Sequence, residues 1–296
     1  MIYGFVGMGL MGGSLAKAIR KYVVVNTDAI YGFDISKVVL EDAMLDGTID
    51  AMFYPKKQDS SVDANDYPVK KMLAKCDIVF VCLYPSASLH FIVKYQNYFK
   101  SGAIVTDISG VKTKLCEGLE NDFKRSDVSV IPAHPMAGSE REGYTHSSSE
   151  MFKGRNYIFV PLQHTNKNKI TILKEIARNI GFTHIIETTA KIHDHKIAFT
   201  SQLCHVIAAS LVCSAEDTSI TKFGGGSFED LTRIAMINVP LWTELFTADK
   251  ATLVQHIENF EESLRTIKTA IEKEDIHDMS TILESVRKKR IEMAMH

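Results

Sequence analysis

Ile2-Tyr3-Gly4-Phe5-Val6 runs straight into Gly7-Met8-Gly9-Leu10-Met11-Gly12, and Ser14-Leu15-Ala16-Lys17-Ala18-Ile19 follows. An apolar run, a GxGxxG turn and a helical pattern in that order predict a strand, a tight loop and a helix. Each glycine has a task in such a unit. Gly7 makes the turn, Gly9 lets a pyrophosphate approach the backbone, and Gly12 lets helix and strand pack closely. The helix N-terminus then offers free N–H groups and a partial positive charge to phosphates. Alone the motif is weak. Its context strengthens it, because Asp34 closes a second apolar run about 20 residues on. Gly7, Met8, Gly9, Leu10, Met11, Gly12 and Asp34 are therefore the candidate dinucleotide contacts. A carboxylate at Asp34 would accept ribose hydroxyls and repel a 2′-phosphate, which argues for NAD over NADP. Lys37 close by weakens that argument.

Further along, short runs rich in Val, Ile and Phe recur at 29–33, 78–83, 103–107, 128–132, 157–161 and 184–187. Helical patterns lie between them. That alternation predicts an α/β fold, a doubly wound Rossmann domain with a mostly parallel sheet and helices on both faces. After about Thr189 the strand-like runs stop. Ile192, Phe199, Leu203, Val206 and Leu211 mark a long helix, Gly224-Gly225-Gly226 breaks the chain, and helical spacing resumes from Phe228 to the end. The expected division is a cofactor domain over 1–189 and an all-α substrate and dimerisation domain over 190–296. Two polar stretches read as surface loops, Tyr54 to Pro68 with Lys56, Lys57, Gln58, Asp59, Ser60 and Ser61, and Thr145–Glu150 as a mobile one.

The whole-chain properties limit the function classes. The 296 residues are 45% hydrophobic and 24% charged, as in an ordinary globular protein of about two domains. The 34 basic and 36 acidic residues leave a net charge of −2, so no global field draws nucleic acid or an anionic membrane. The five cysteines, Cys76, Cys82, Cys116, Cys204 and Cys213, form no CxxC pair and read as free thiols of a reducing, cytoplasmic compartment. No signal peptide and no uninterrupted apolar span of about 18 residues is read. His193 and His195, two apart on one predicted helix, face different ways, so no metal site is expected.

Ala133-His134-Pro135-Met136-Ala137-Gly138-Ser139-Glu140 resembles the HPMxGxE block of the prephenate and arogenate dehydrogenase family. Three more stretches resemble the same family in the same order. They are Asp107-Ile108-Ser109-Gly110-Val111-Lys112, then Ser201-Gln202-Leu203-Cys204-His205, then Asp230-Leu231-Thr232-Arg233-Ile234-Ala235 with Pro240-Leu241-Trp242. The resemblance spans essentially the whole chain. It implies an NAD-dependent oxidative decarboxylation on the way to tyrosine. Hydride leaves the hydroxyl-bearing ring carbon of prephenate, the ring carboxylate departs as CO₂, and the ring becomes aromatic as 4-hydroxyphenylpyruvate. Arogenate, with an amino group in place of the keto group, is the nearest alternative substrate.

On that resemblance His134 is the proton acceptor for the ring hydroxyl, a task suited to an imidazole. Arg233 is the substrate-carboxylate ligand, since a guanidinium pairs bidentately with a carboxylate. Without a substrate it could equally pair with Asp230 one turn earlier. His205 is a second substrate contact and Glu140 a gate to the pocket. The family commonly reads DxxSxK, but here Gly110 holds that serine's place and Ser109 precedes it; Ser109 is the substitute candidate, with Lys112 structural. Cys204 stands where the family often has proline. Trp242 reads as core packing. The family also implies a homodimer through the helical domain.

Two further readings compete. Gly7 to Gly12 with Met11 also resembles the start of 3-hydroxyacid dehydrogenases, yet Lys196 is followed at the fourth place by Thr200 and not by that family's asparagine. A non-catalytic NAD-binding sensor would need the first domain without His134 and Arg233 together, and no basic DNA-reading module is present.

Overall fold

The computed structural model describes residues 1–55 and 62–294. A six-stranded parallel sheet organises the first half, in the order β3-β2-β1-β4-β5-β6. Its strands are β1 (Ile2–Val6), β2 (Ala29–Phe33), β3 (Ala51–Phe53), β4 (Ile78–Val81), β5 (Ile104–Asp107) and β6 (Ser129–Val130). Helices α1 (Leu10–Tyr22), α2 (Lys37–Leu45), α3 (Val62–Leu73), α4 (Pro85–Lys94) and α5 (Thr113–Asp122) follow strands β1 to β5 in turn.

The strands are apolar throughout because both faces of the sheet are covered. Alternate residues divide between two cores. Tyr3, Phe5, Ile78, Phe80 and Ile104 pack with α1 and α2 on one face. Val6, Val79, Val81 and Val105 pack with α3, α4 and α5 on the other. Phe5 stacks on Phe80 at 5.0 Å between ring centroids. The strand order reverses between β1 and β4, and the glycine turn leaves β1 at that switch point, where open α/β sheets bind ligands.

The expected runs at 157–161 and 184–187 do form strands, but not in this sheet. They are β8 (Asn156–Phe159) and β9 (His184–Glu187), joined by α6 (Lys167–Asn179). With β7 (Ala133–Pro135) they build a separate three-stranded sheet, β7 antiparallel and β9 parallel to β8. β3 and β7 are three residues each, too short to stand out as apolar runs. Of the polar stretch 54–68, residues 56–61 lie outside the described ones, and Val62 onward is α3 rather than loop. The stretch Thr145–Glu150, expected to be mobile, is pinned to α1. Ser148 N donates to Ser14 Oγ at 3.0 Å, and Lys21 and Tyr22 both reach Glu150.

From Ala190 every described element is helical. One continuous helix runs from Ala190 to Cys213. It comprises α7 (Ala190–Ile197), a π turn over Ala198–Gln202 and α8 (Leu203–Cys213). It is long and apolar enough by composition to cross a membrane, a property core and interface helices share. The remaining helices are α9 (Gly226–Thr232), α10 (Val239–Ala248), α11 (Lys250–Glu272) and α12 (Ile276–Met293).

Candidate active site

The glycine turn has the shape its residues predict. Gly7 sits at φ +88°, a conformation other L-residues rarely adopt, and a Cβ there would meet Cys82 O at 2.7 Å. A Cβ on Gly12 would fall 2.0 Å from Gly7 O, so only glycine lets α1 lie this close to β1. A Cβ on Gly9 meets nothing within 4 Å. The backbone there borders open space. Gly9 caps α1 without a side-chain bond, and the first turn carries no acidic residue. The uncapped N–H groups and the helix dipole thus face an unobstructed approach, which fits a pyrophosphate. Asp34 closes β2 beside the turn. Its carboxylate accepts Met8 N at 2.7 Å and Ser36 N at 2.8 Å. Lys37 pairs with Glu41 on its own helix.

A second cluster forms where β5, β7 and α7 meet. Asp107 is 1% exposed and Lys112 is fully buried. Lys112 Nζ donates to Asp107 Oδ2 at 2.6 Å and to Ser109 Oγ at 3.2 Å. Asp107 Oδ2 also accepts Ser109 N at 2.8 Å and the Ser109 hydroxyl, and Oδ1 accepts Ala133 N at 3.2 Å. A buried ion pair with this many donors holds the β5–α5 turn against β7. Ser109 is a member of that network, and its hydroxyl is spent on Asp107 and Val111 O. The position that faces His134 is the next one. A Cβ on Gly110 would lie 3.7 Å from His134 Nε2 and 3.2 Å from Leu245.

His134 projects from β7 with its Nδ1 3.0 Å from His193 Nε2. His193 Nδ1 lies 2.7 Å from Asp194 Oδ1. Asp194 in turn accepts Lys112 N at 2.8 Å and Thr113 N at 2.7 Å, the start of α5. Burial pushes the His134 pKa well below 6.5, and the neighbouring His193 and Lys112 add to the effect. Burial also lowers His193, against the pull of Asp194. Burial alone would raise the Asp194 carboxyl, but hydrogen bonds from His193 and Thr113 outweigh it and hold it ionised. The two imidazoles are neutral at neutral pH.

Arg233 begins a short 3₁₀ turn after α9, and its side chain is 58% exposed. Its ion pair is with Glu140 at 3.5 Å, not with Asp230. The positive charge of Arg233 also reaches His205, whose pKa is lowered mainly by burial. His205 Nδ1 donates to Ser201 O at 2.9 Å, and the ring stacks on Trp242 at 3.6 Å. Trp242, expected as core packing, is half-buried and packs on His205 and on Phe246 of its own helix. Leu245, one turn on along α10, reaches Gly110 and thereby the His134 cluster. The same face of α10 therefore touches both groups.

Polar bonds join the two halves of the chain. Ser86 N donates to Glu244 at 2.6 Å, and Asn238 Nδ2 donates to Glu142 at 2.7 Å. A cavity of about 460 Å³ lies behind them, between α4, α5 and α10, lined by Leu89, Val111 and Glu244 and by neither His134 nor Arg233. Among the described residues no cluster of three metal-ligating side chains occurs.

Sequence reasoning missed His193 and Asp194. A signal was present: they precede the buried Ile197 and Ala198 by four residues, so they share the buried face of the helix.

Two family models match most of the chain. The prephenate dehydrogenase nucleotide-binding domain matches residues 15–186, and the prephenate dehydrogenase dimerization domain matches residues 189–285. The first match begins past the glycine turn, so that turn stands on its own geometry. The cyclohexadienyl dehydrogenase of Zymomonas mobilis is 28% identical over 276 residues, 91% of this chain and 88% of that protein. The prephenate dehydrogenase of Bacillus subtilis is 25% identical over 282 residues, 92% of this chain and 71% of that protein. The crystal structure of prephenate dehydrogenase from Aquifex aeolicus with hydroxyphenyl propionate and NAD+ superposes with a TM-score of 0.82 at 29% identity. It covers 99% of this chain and 98% of that one.

Proposed function

The chain belongs to the prephenate dehydrogenase family, and from that premise we propose that it oxidatively decarboxylates prephenate with NAD to give 4-hydroxyphenylpyruvate and CO₂, a step toward tyrosine. The observation that carries the reading is the half-buried His134, its Nδ1 against His193 and its pKa lowered by desolvation, beside the Gly110 turn that Leu245 of the helical half approaches.

Residues 7 to 12 and Asp34 would hold NAD, which supplies the hydride acceptor when bound. The open backbone at Gly9 suits its pyrophosphate. The Asp34 carboxylate disfavours a 2′-phosphate, and Lys37, engaged by Glu41, offers that phosphate no free cation. His134 takes the proton of the ring hydroxyl as hydride departs. Arg233 exchanges Glu140 for a substrate carboxylate, so Glu140 gates the site while it is empty. His205 and Trp242 wall the ring-binding space. Ser109 acts through Asp107 and Lys112, which fix the turn carrying Gly110. Aromatisation drives the reaction, so positioning and one proton transfer suffice for the protein's part.

A homodimer through the helical half follows the same reading. Phe223 is 90% exposed and Ile276 85%, and Ile192, Phe199, Leu264 and Leu283 are also more than half exposed. Such an apolar surface suits a second copy of the chain. All five cysteines are free, which suits a cytoplasmic enzyme.

The test is nicotinamide reduction by the purified chain with prephenate and with arogenate, each with NAD and NADP. Turnover of prephenate with NAD is expected to be fastest. Faster turnover of arogenate would reassign the substrate, and none with either would remove the proposed reaction. Light scattering should give twice the chain mass.

A further inference from the structure

We propose that His193 and Asp194 are positioning residues that hold His134 as the single tautomer able to accept a proton at Nε2. The argument starts at the carboxylate. Asp194 receives two main-chain N–H groups, Lys112 N on Oδ1 and Thr113 N on Oδ2, and stays an acceptor. The His193 Nδ1 that meets it at 2.7 Å must therefore carry a hydrogen. A neutral imidazole has one, so His193 Nε2 is a bare lone pair. That lone pair faces His134 Nδ1 at 3.0 Å, which fixes the hydrogen of His134 on Nδ1. His134 Nε2 is then bare, and it lies on the side where Gly110 leaves room.

The chain of contacts also answers the charge that catalysis creates. When Nε2 receives the hydroxyl proton, His134 becomes an imidazolium in a half-buried, poorly solvated setting. Its Nδ1–H bond to His193 then strengthens, and the Asp194 charge lies one imidazole away. Passage of that Nδ1 proton to His193 Nε2 would leave His134 neutral and set an imidazolium directly against Asp194, with no change in total charge. Asp194 need not be protonated at any point. The other charged groups facing this pair are Lys112, on its ion pair, and Asp107. With glycine at position 110, no side chain there can orient His134 from the Nε2 side, so orientation comes from behind, through Nδ1.

The assignment rests on His134 being the proton acceptor of the reaction proposed above, but its tautomer can be read without turnover. Nitrogen-15 spectra of the histidine-labelled full chain should show His134 and His193 both protonated on Nδ1 at neutral pH. His193→Asn keeps a partner for Asp194 and removes the acceptor at Nε2. It should scramble the His134 tautomer and lower kcat by about 10²–10³-fold with both KM values within about threefold. His193→Gln, whose side-chain oxygen reaches the Nε2 place, should restore the tautomer and recover kcat at least about tenfold over His193→Asn. His134 carrying its hydrogen on Nε2 in the native chain would overturn the proposal. So would a folded His193→Asn variant with native kcat, or one altered in KM alone. If the native chain turns over neither substrate, the reaction falls while the tautomer spectra still decide the positioning.

Discussion

The Asp34 carboxylate accepts the backbone N–H of Met8 at 2.7 Å, so the end of β2 is tied to the glycine turn that leaves β1. The same carboxylate also receives Ser36 N. One side chain thus holds two loops at the switch point in register. A dinucleotide's ribose would compete for these acceptor positions, and the loop would exchange an internal bond for one to the ligand.

Gly9 and Gly12 should separate cofactor binding from folding. Gly12→Ala drives a Cβ to 2.0 Å from Gly7 O and should destabilise the chain by about 1–3 kcal/mol in urea unfolding. Gly9→Ala meets nothing in the empty fold and should melt like the native chain. Its methyl group would instead occupy the phosphate approach, raising the Kd for NAD by about tenfold or more in calorimetry. Equal NAD affinity in Gly9→Ala would contradict the proposed cofactor position.

His134→Asn should lower kcat by about 10²–10⁴-fold while NAD binding persists. Stopped-flow turnover and a fluorescence titration of NAD measure the two effects separately. A variant that loses both together would point to a collapsed fold.

Arg233→Gln should raise KM for prephenate by about 10- to 100-fold with little change in kcat, as expected for a lost charge-assisted bond to carboxylate. Glu140→Gln should do the reverse and lower KM by about two- to fivefold, since it frees Arg233 of its competitor. A higher KM in Glu140→Gln would show that the glutamate assists binding rather than gating it.

The pH dependence has a definite sign. Burial depresses the pKa values of His134 and His193 below 6.5. The unfolded chain takes up protons near 6.5 that the folded chain refuses, so stability is full above that value and declines as pH falls toward the folded pKa values. The acid limb of kcat/KM should likewise have its midpoint below pH 6.5, because His134 remains a neutral base there. Urea midpoints and initial rates between mildly acid and neutral pH check both. A midpoint at or above 6.5 would mean that the imidazole is solvated or salt-bridged.

The order of elements was legible because it rests on local chemistry. A five-residue apolar run before GxGxxG can do little but make a strand and a turn. Helix α12 falls in the stretch beyond Phe228 that was expected to be helical for the same reason, since side-chain periodicity is a property of neighbours along the chain. The assignment of β8 and β9 to a second sheet was not legible. Strand pairing depends on partners far away in sequence, and β7, which pairs with β8 at the edge of that sheet, is only three residues long.

The site divides in the same way. The residue types that can carry the chemistry, His134 and Arg233 among them, were visible as motifs in the amino-acid order. Their partners were decided only by tertiary structure. His193 was set aside as one of two histidines on differing faces of a helix, until the fold brought its Nε2 within 3.0 Å of a residue 59 positions earlier. Ser109 passed for the missing family serine, until a one-residue step on the turn aimed its hydroxyl into the Asp107–Lys112 pair. The physical reason is that a motif records which groups are present. The direction a side chain faces, and the water excluded around it, follow from packing between segments distant along the chain.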